Sequence, residues 1–347
     1  MISRNTVHGA AMLGLGAYRP RREVDNVEVC RRLDVDPEWV LARSGIRSRR
    51  FAGEDESLVA MSSAAGRDAL AAAGVDAGAV DVVLVATMSH TATSPQVATR
   101  VAHAVGAVHG AAMDVGAACA GFCYSLELAA SLIASGTAEH VLVVGVERMS
   151  DIVDPADRST AFIFGDGAGA VVVGRSDEPG IGPVAWGADG SQADLIVQEP
   201  TWKDVTPGEF PGLRMQGPTV FRWATSRMVP LAQEALERAG VKAEQLGAFV
   251  PHQANARITD ALVRALALPE HVAVADNVVD TGNTSAASVP LAMHGLLAAG
   301  RAAPGDGALL MGFGAGLTFA AQVVRLPAVL APPASPPSGR RAPSLAS

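Results

Sequence analysis

Three segments place reactive side chains where α/β proteins put their chemistry. In DVGAACAGF (114–122), Cys119 lies between a stretch of strand type and an amphipathic stretch with Phe122, Leu126, Ala129 and Ile133 on one face. The spacing predicts a cysteine at a helix N-terminus. There, unpaired N–H groups and the positive end of the helix dipole favour thiolate over thiol and make the sulfur nucleophilic near neutral pH. In VPHQANARI (250–258), His252 follows a short apolar strand and a proline; strand ends in α/β sheets are where catalytic side chains emerge. In TGNTSAASVPLAM (281–293), Pro290 fits a helix only in its first turn, which puts Asn283 on the loop entering that helix. Each residue has a plainer alternative. A free cysteine is commonly a small buried hydrophobe, and Cys30 and Cys123 are read that way. One histidine among eight beside a strand says little alone.

Two glycine runs, FGDGAGAVVV from Phe164 and GFGAGL from Gly312, invite a nucleotide-loop reading. A phosphate-cradling loop passes from strand into helix, whereas both runs lead into β-type sequence. Their glycines instead suit close backbone approach, either to a reacting atom or between packed halves.

The elements that must position these residues follow from pattern. From Ala10, apolar β-branched stretches alternate with alanine-rich helical ones, as in α/β proteins with buried strands. Strands are expected over 80–86, 112–115, 141–146, 170–173, 248–250, 272–274 and 308–311, with helices between them. A weak repeat aligns the halves: 17 residues separate Cys119 from Gly136 and Asn283 from Gly300 alike. After Leu326 the pattern fails among prolines, alanines and serines. The expected organisation is a first half over 1–175 carrying Cys119, a second over 176–326 carrying His252 and Asn283, and a disordered tail over 327–347.

Composition sets the outer limits. The 347 residues are 49% hydrophobic and 18% charged with a formal net charge of −8, which excludes a disordered chain, a collagen and a coiled coil. The acidic balance argues against nucleic acid as the main partner. Three cysteines cannot all pair within one chain and match no zinc spacing, so free thiols and a reducing compartment, the cytoplasm, are expected. No secretory leader and no membrane role are expected from the sequence.

Taken in order, DVGAACAGF, VPHQANARI, TGNTSAASVPLAM and GFGAGL resemble the β-ketoacyl-acyl carrier protein synthase III family, the initiating condensing enzymes of the thiolase superfamily. The resemblance spans residues 10–326 and implies a five-layered αβαβα fold built from two similar halves. It implies a decarboxylating Claisen condensation of an acyl-CoA starter with malonyl-acyl carrier protein, through an acyl-cysteine intermediate, in fatty acid or polyketide biosynthesis. Cys119 would be the acylated nucleophile, and His252 and Asn283 would hold the malonyl thioester carbonyl. Decarboxylation leaves an enolate oxygen that an imidazole N–H and a carboxamide NH₂ can meet without adding another acid. The backbone N–H groups of Cys119 and Gly314 would form the oxyanion hole.

The same resemblance assigns CoA binding to Trp39, Arg43, Arg158 and Asn255, with Trp39 and Arg43 on one side of the adenine and Arg158 on its other face. Stacking combined with cationic contact suits a phosphorylated nucleoside. Val35 and Pro218 depart from the usual Thr and Asn, implying fewer polar contacts to CoA. Arg222, Arg257 and Arg264 match docking positions for the acidic carrier protein. Ser94 stands where relatives restricted to acetyl starters carry a Phe reaching across a homodimer, so an open acyl pocket is expected. No metal and no cofactor are implied, CoA and carrier-protein thioesters being substrates. Two alternatives stand beside this reading: a related acyltransferase passing the acyl group to a hydroxyl or amine without condensation, and a thiol redox or metal protein using Cys119 and Cys123.

Overall fold

Strands that are apolar on both faces need cover on both sides, and the chain supplies it by stacking two sheets among three layers of helix. The computed structural model describes residues 9–92, 94–201 and 203–330. The chain begins with β1 (Gly9–Tyr18), β2 (Arg22–Asp25), α1 (Asn26–Cys30), α2 (Pro37–Ser44), β3 (Ser48–Phe51) and α3 (Leu58–Ala73). Next come β4 (Val82–Ala86), α4 (Val97–Val105), β5 (Ala111–Val115), α5 (Gly121–Ala134), β6 (His140–Glu147) and β7 (Gly167–Ser176). The second half runs β8 (Ala185–Ala188), β9 (Ile196–Glu199), β10 (Gly212–Met215), α6 (Gly217–Ala239), β11 (Ala248–Pro251) and α7 (Ala256–Ala265). It ends with β12 (Ala273–Val274), α8 (Val278–Thr281), α9 (Ser288–Ala298), β13 (Gly307–Gly314), β14 (Thr318–Arg325) and β15 (Ala328–Val329).

The large sheets have strand orders β15-β1-β7-β6-β4-β5 and β12-β11-β13-β14-β8. Apart from β15, each strand of one has a counterpart in the other with matching parallel or antiparallel pairing. The two halves expected from the sequence therefore share one topology. Side chains alternate along the strands, so Leu84 and Val143 point to the central layer while Val83, Val85, Leu142 and Val144 face outward. The central layer is α5 and α9, whose Phe122, Leu126, Ile133, Val289, Met293 and Leu296 pack between both sheets. α3 and α4 cover the first sheet's outer face, and α6 and α7 cover the second's. The central helices lie close on the strands: a methyl group on Gly145 would sit 2.3 Å from the Ala286 carbonyl oxygen, and one on Gly169 would sit 2.7 Å from Pro290 Cβ.

Every expected strand is present, most of them longer, and both glycine runs lead into strand as read. Strands β1, β8 and β14 and the two small two-stranded sheets, β2 with β3 and β9 with β10, were not foreseen. The tail needs correction. Ala328 and Val329 pair parallel with Gly14 and Leu15 of β1, because Pro327 costs no ladder bond at the start of an edge strand. Residues 331–347 lie outside the described residues. The repeat also needs a shift in register. The turns entering the central helices, 118–120 and 285–287, both open on a residue at φ 45°, Ala118 and Ser285, so Ala118 matches Ser285 and Cys119 matches Ala286. The agreement at 17 arose because α9 is shorter than α5.

Candidate active site

Strands β4, β5, β6, β11 and β13 are parallel within their sheets, and their carboxyl ends gather the chemistry. Cys119 follows β5, His252 follows β11 and Gly314 closes β13. These three, with Asn283, line one cavity of about 40 Å³ whose apolar walls include Met88, Phe164, Leu213, Met215 and Phe313. A layer packed beyond the sheet ends, with Val40, Ile46, Met149, Phe162 and Phe164 at its core, covers the cavity.

Cys119 sits in the 3₁₀ turn before α5 rather than in the helix's own first turn, and it is only 8% exposed. Burial pushes its thiol up to about 12, the nearby Glu147 carboxylate adds to the rise, and its hydrogen bond to the Ser285 hydroxyl opposes it. This corrects the expectation of a thiolate in the resting enzyme. The helix terminus helps, but in a closed apolar cavity desolvation outweighs it. Gly314 is a steric requirement: a Cβ there would lie 2.8 Å from Cys119 Cβ and 3.0 Å from its Sγ.

His252 is buried, with Nδ1 2.6 Å from Ser288 Oγ and its ring edge-on to Phe313 at 5.2 Å. Burial lowers its pKa to about 3, so the ring is neutral. Ser288 Oγ accepts the Gln253 N–H at 3.4 Å; when its own hydrogen goes to Nδ1, the imidazole hydrogen sits on Nε2. Asn283 is tied through its carboxamide oxygen, which accepts the Ser285 N–H at 2.8 Å. Its NH₂ group is thereby left as the group that can donate to a ligand.

A cleft of about 590 Å³ adjoins the cavity, with Met215, Val220, Ala254 and Asn283 lining both. Arg43, Arg158, Arg222 and Arg257 line it, and among the described residues no carboxylate does. Trp39 lines it too, but its ring lies edge-on to Phe162 at 5.1 Å and carries the Arg43 guanidinium at 4.5 Å. Asn255 spends its side chain on structure, accepting the Arg257 N–H at 2.9 Å and donating to the Arg43 carbonyl at 3.0 Å, so it ties α7 to α2. Pro218 is in the wall, while Val35 packs in the covering layer. Arg257 and Arg264 are both exposed on α7, two turns apart.

Ser94 is exposed and is not among the residues lining the cavity. Within one chain the structure does not bring it to Cys119. All three cysteines are buried and free, which suits the hydrophobe reading of Cys30 and Cys123. Sequence reasoning missed Glu147, Ser285, Ser288 and the aromatic walls Phe164 and Phe313. For Glu147 a signal existed, a carboxylate closing the otherwise apolar strand HVLVVGVE.

Family models described as 3-oxoacyl-[acyl-carrier-protein] synthase III and its C-terminal region match residues 113–190 and 236–326. A β-ketoacyl-[acyl-carrier-protein] synthase III of Streptomyces glaucescens is 52% identical over 321 residues, covering 92% of this chain and 96% of that protein. The chain belongs to the 3-oxoacyl-[acyl-carrier-protein] synthase III family. A second synthase III, from Streptomyces coelicolor, is 50% identical over 331 residues with coverage of 92% and 96%. Among solved structures, the priming β-ketosynthase from the R1128 polyketide biosynthetic pathway superposes with a TM-score of 0.93 at 48% identity, covering 95% of this chain and 99% of that one. The synthase III of Pseudomonas aeruginosa PAO1 gives 0.86 at 39% identity, with coverage of 93% and 99%. This member of the synthase III family is accordingly an enzyme, a condensing transferase. Among the described residues no helix is long and apolar enough to cross a membrane.

Proposed function

We propose that the protein is an initiating ketosynthase of fatty acid or polyketide biosynthesis that loads Cys119 from an acyl-CoA and condenses the acyl group with malonyl-acyl carrier protein. The observation that carries this reading is the group of side chains in the cavity, a thiol together with a neutral imidazole and a carboxamide whose oxygen is already used, and we assign the imidazole hydrogen to Nε2 with Ser288 Oγ donating to Nδ1. Two fixed neutral donors suit an oxygen that becomes negative as malonyl loses CO₂, and they favour an enolate over a proton transfer to hydroxyl or amine acceptors. The backbone N–H groups of Cys119 and Gly314 would meet the oxyanion of the tetrahedral intermediate at sulfur.

The arginine-lined cleft suits the phosphates and adenine of CoA, with Trp39, Arg43, Arg158 and Asn255 shaping the nucleotide site. Because Arg43 already covers one face of Trp39, we place the adenine between this pair and Arg158. Arg222, Arg257 and Arg264 at the cleft and along α7 would receive an acidic carrier protein, concentrating positive charge on a molecule of net charge −8.

A homodimer fits the open edge of the first sheet. β5 ends that sheet, and Met113 on it is 42% exposed. Asp114 of β5 accepts the Val97 and Ala98 N–H groups at 3.0 and 2.8 Å, which anchors the start of α4 and the Ser94 loop beside that edge. A second copy paired on β5 would meet this loop, the position Ser94 needs to bear on a partner's acyl pocket.

The test is to react the purified enzyme with a series of acyl-CoAs, identify Cys119 adducts by mass, then add malonyl-carrier protein and measure the β-ketoacyl product. Branched and medium starters should compete with acetyl-CoA, and Ser94→Phe should narrow the range toward acetyl-CoA. An adduct on another residue, or transfer without release of CO₂, would overturn the reading.

A further inference from the structure

We infer that Ser285 and Glu147 carry the proton that the Cys119 thiol gives up on acylation and recovers on condensation. Cys119 S–H donates to Ser285 Oγ at 3.4 Å, and the Ser285 hydroxyl donates to Glu147 Oε1 at 2.9 Å. The run from sulfur to carboxylate thus points in one direction, outward from the nucleophile. Glu147 is fully buried, at 0% exposure. Its other oxygen receives the Ser89 hydroxyl at 2.5 Å, with the Met88 and Ser89 N–H groups and the Thr87 hydroxyl each at 3.1 Å. The Ala286 N–H reaches Oε1 at 3.4 Å. These partners, from the 87–89 loop and the 285–287 turn, are hydroxyls and amides, and the ionisable group beyond them is the Cys119 thiol. A buried carboxylate without a cation is an expensive way to tie a loop to a turn. As a proton acceptor it has a purpose.

The mechanism needs such an acceptor. The resting thiol is protonated, and His252 is a poor acceptor for its proton, because burial lowers the imidazole pKa to about 3. Burial raises the Glu147 carboxyl to about 7 against the pull of its donors, so it can bind and release a proton near neutral pH.

The steps balance. On loading, the cysteine S–H proton moves to Ser285 as the Ser285 proton moves to Glu147. The sulfur forms a bond to the acyl carbon, the bond from that carbon to the CoA sulfur breaks, and CoA leaves as a thiolate that takes a proton from solvent. Malonyl then loses CO₂, its enolate carbon bonds to the acyl carbon, and Cys119 leaves as thiolate. The proton held on Glu147 returns through Ser285 to that sulfur, so Glu147 starts the next cycle ionised.

This inference rests on the acyl-cysteine reading, and one set of measurements separates the two. Rapid-quench mass spectrometry would follow Cys119 acylation by acetyl-CoA and isobutyryl-CoA from pH 6 to 9.5. The panel is wild type, Ser285→Ala, Glu147→Gln and Cys119→Ala. Ser285→Ala is the decisive variant, because Ala118 holds the same φ of 45° in the matching turn and alanine therefore fits that backbone. Ser285→Ala should acylate roughly 10²-fold more slowly at pH 7, in the range of general-base effects, and the deficit should close as rising pH lets solvent take the proton. Glu147→Gln should behave alike if it folds. A loss in Ser285→Ala that is constant with pH, or acylation within threefold of wild type throughout, overturns the relay while absence of adduct in Cys119→Ala leaves the acyl-cysteine reading standing. Adduct formation in Cys119→Ala would overturn that reading itself.

Discussion

The turns at 118–120 and 285–287 are the same piece of backbone used twice, with opposite contents. Each leads into a central helix and opens on a non-glycine residue in the left-handed region, a conformation that costs on the order of 1 kcal/mol and persists only where surroundings fix it. The first turn carries the thiol, with alanines on either side of Cys119. The second carries the polar side chains: Ser285 opens it, Asn283 lies two residues before and Ser288 follows on the first residue of α9. Duplicated shape with divided chemistry lets one half present the nucleophile and the other the donors, meeting where the two sheets share their central helices.

Removing the first turn's chemistry should have the largest effect. Cys119→Ala should give no acyl adduct by intact-protein mass and no condensation. Asn283→Ala and His252→Ala act on the second half, so both should still load Cys119 yet lose about 10²- to 10³-fold in malonyl decarboxylation, followed as released CO₂. Wild-type condensation by Asn283→Ala would end the assigned division. Gly314→Ala tests the contact between the halves, since the added methyl would meet Cys119 at 2.8 Å. An expected fall of about 10-fold or more in acylation, with the urea midpoint little changed, would show that the strand end serves the thiol more than the fold.

A thermodynamic difference should also separate the two halves. His252 binds its proton only near pH 3 when folded, whereas the unfolded residue takes one up below about 6.5. Its contribution is therefore whole above pH 6.5 and is lost as pH falls toward 3. Between pH 7 and 4.5 the wild type should lose about 2 to 3 kcal/mol more stability than His252→Gln, measured by urea unfolding at both pH values. The smallest effect concerns the outer face of the second half. Arg257→Glu should raise KM for malonyl-carrier protein several-fold, more at low salt, while KM for acyl-CoA changes little. Equal changes for both substrates would remove the docking assignment.

Much of this was legible in the sequence because buried strands and helix entries leave strong local signals. β4, residues 141–146 of β6 and residues 308–313 of β13 are unbroken apolar runs, and Pro290 marks the first turn of α9. Cys119, His252 and Asn283 were found because each stands beside such a signal. β14 was harder: TFAAQVVR, Thr318 to Arg325, mixes alanine with Gln322 and lacks a β-branched run until Val323, and its strand character comes from antiparallel pairing with β13. The protonation of Cys119 was misjudged because a helix terminus is visible locally, whereas burial by Phe164, Leu213 and Phe313 comes from residues far along the chain. Glu147 and Ser285 are 138 residues apart, and nothing local to either announces their bond.

The contacts of Gly145 and Gly169 with the central helix α9 and its entry turn bear on how such a protein can change over generations. A duplicated ancestor begins with two halves free to diverge, but wherever a strand of one copy lies against the other without room for a methyl group, that strand position is held to glycine. Gly145 is held by the Ala286 carbonyl oxygen, and Gly169 by the Pro290 ring carbons at 2.7 and 2.8 Å and the Leu291 nitrogen at 3.1 Å. Drift at these two glycines is therefore closed off, while surface positions of α6 and α7 away from Arg222, Arg257 and Arg264 remain free to vary. Laboratory libraries that spare these two glycines and spend their diversity on the cleft walls should retain a larger share of folded variants.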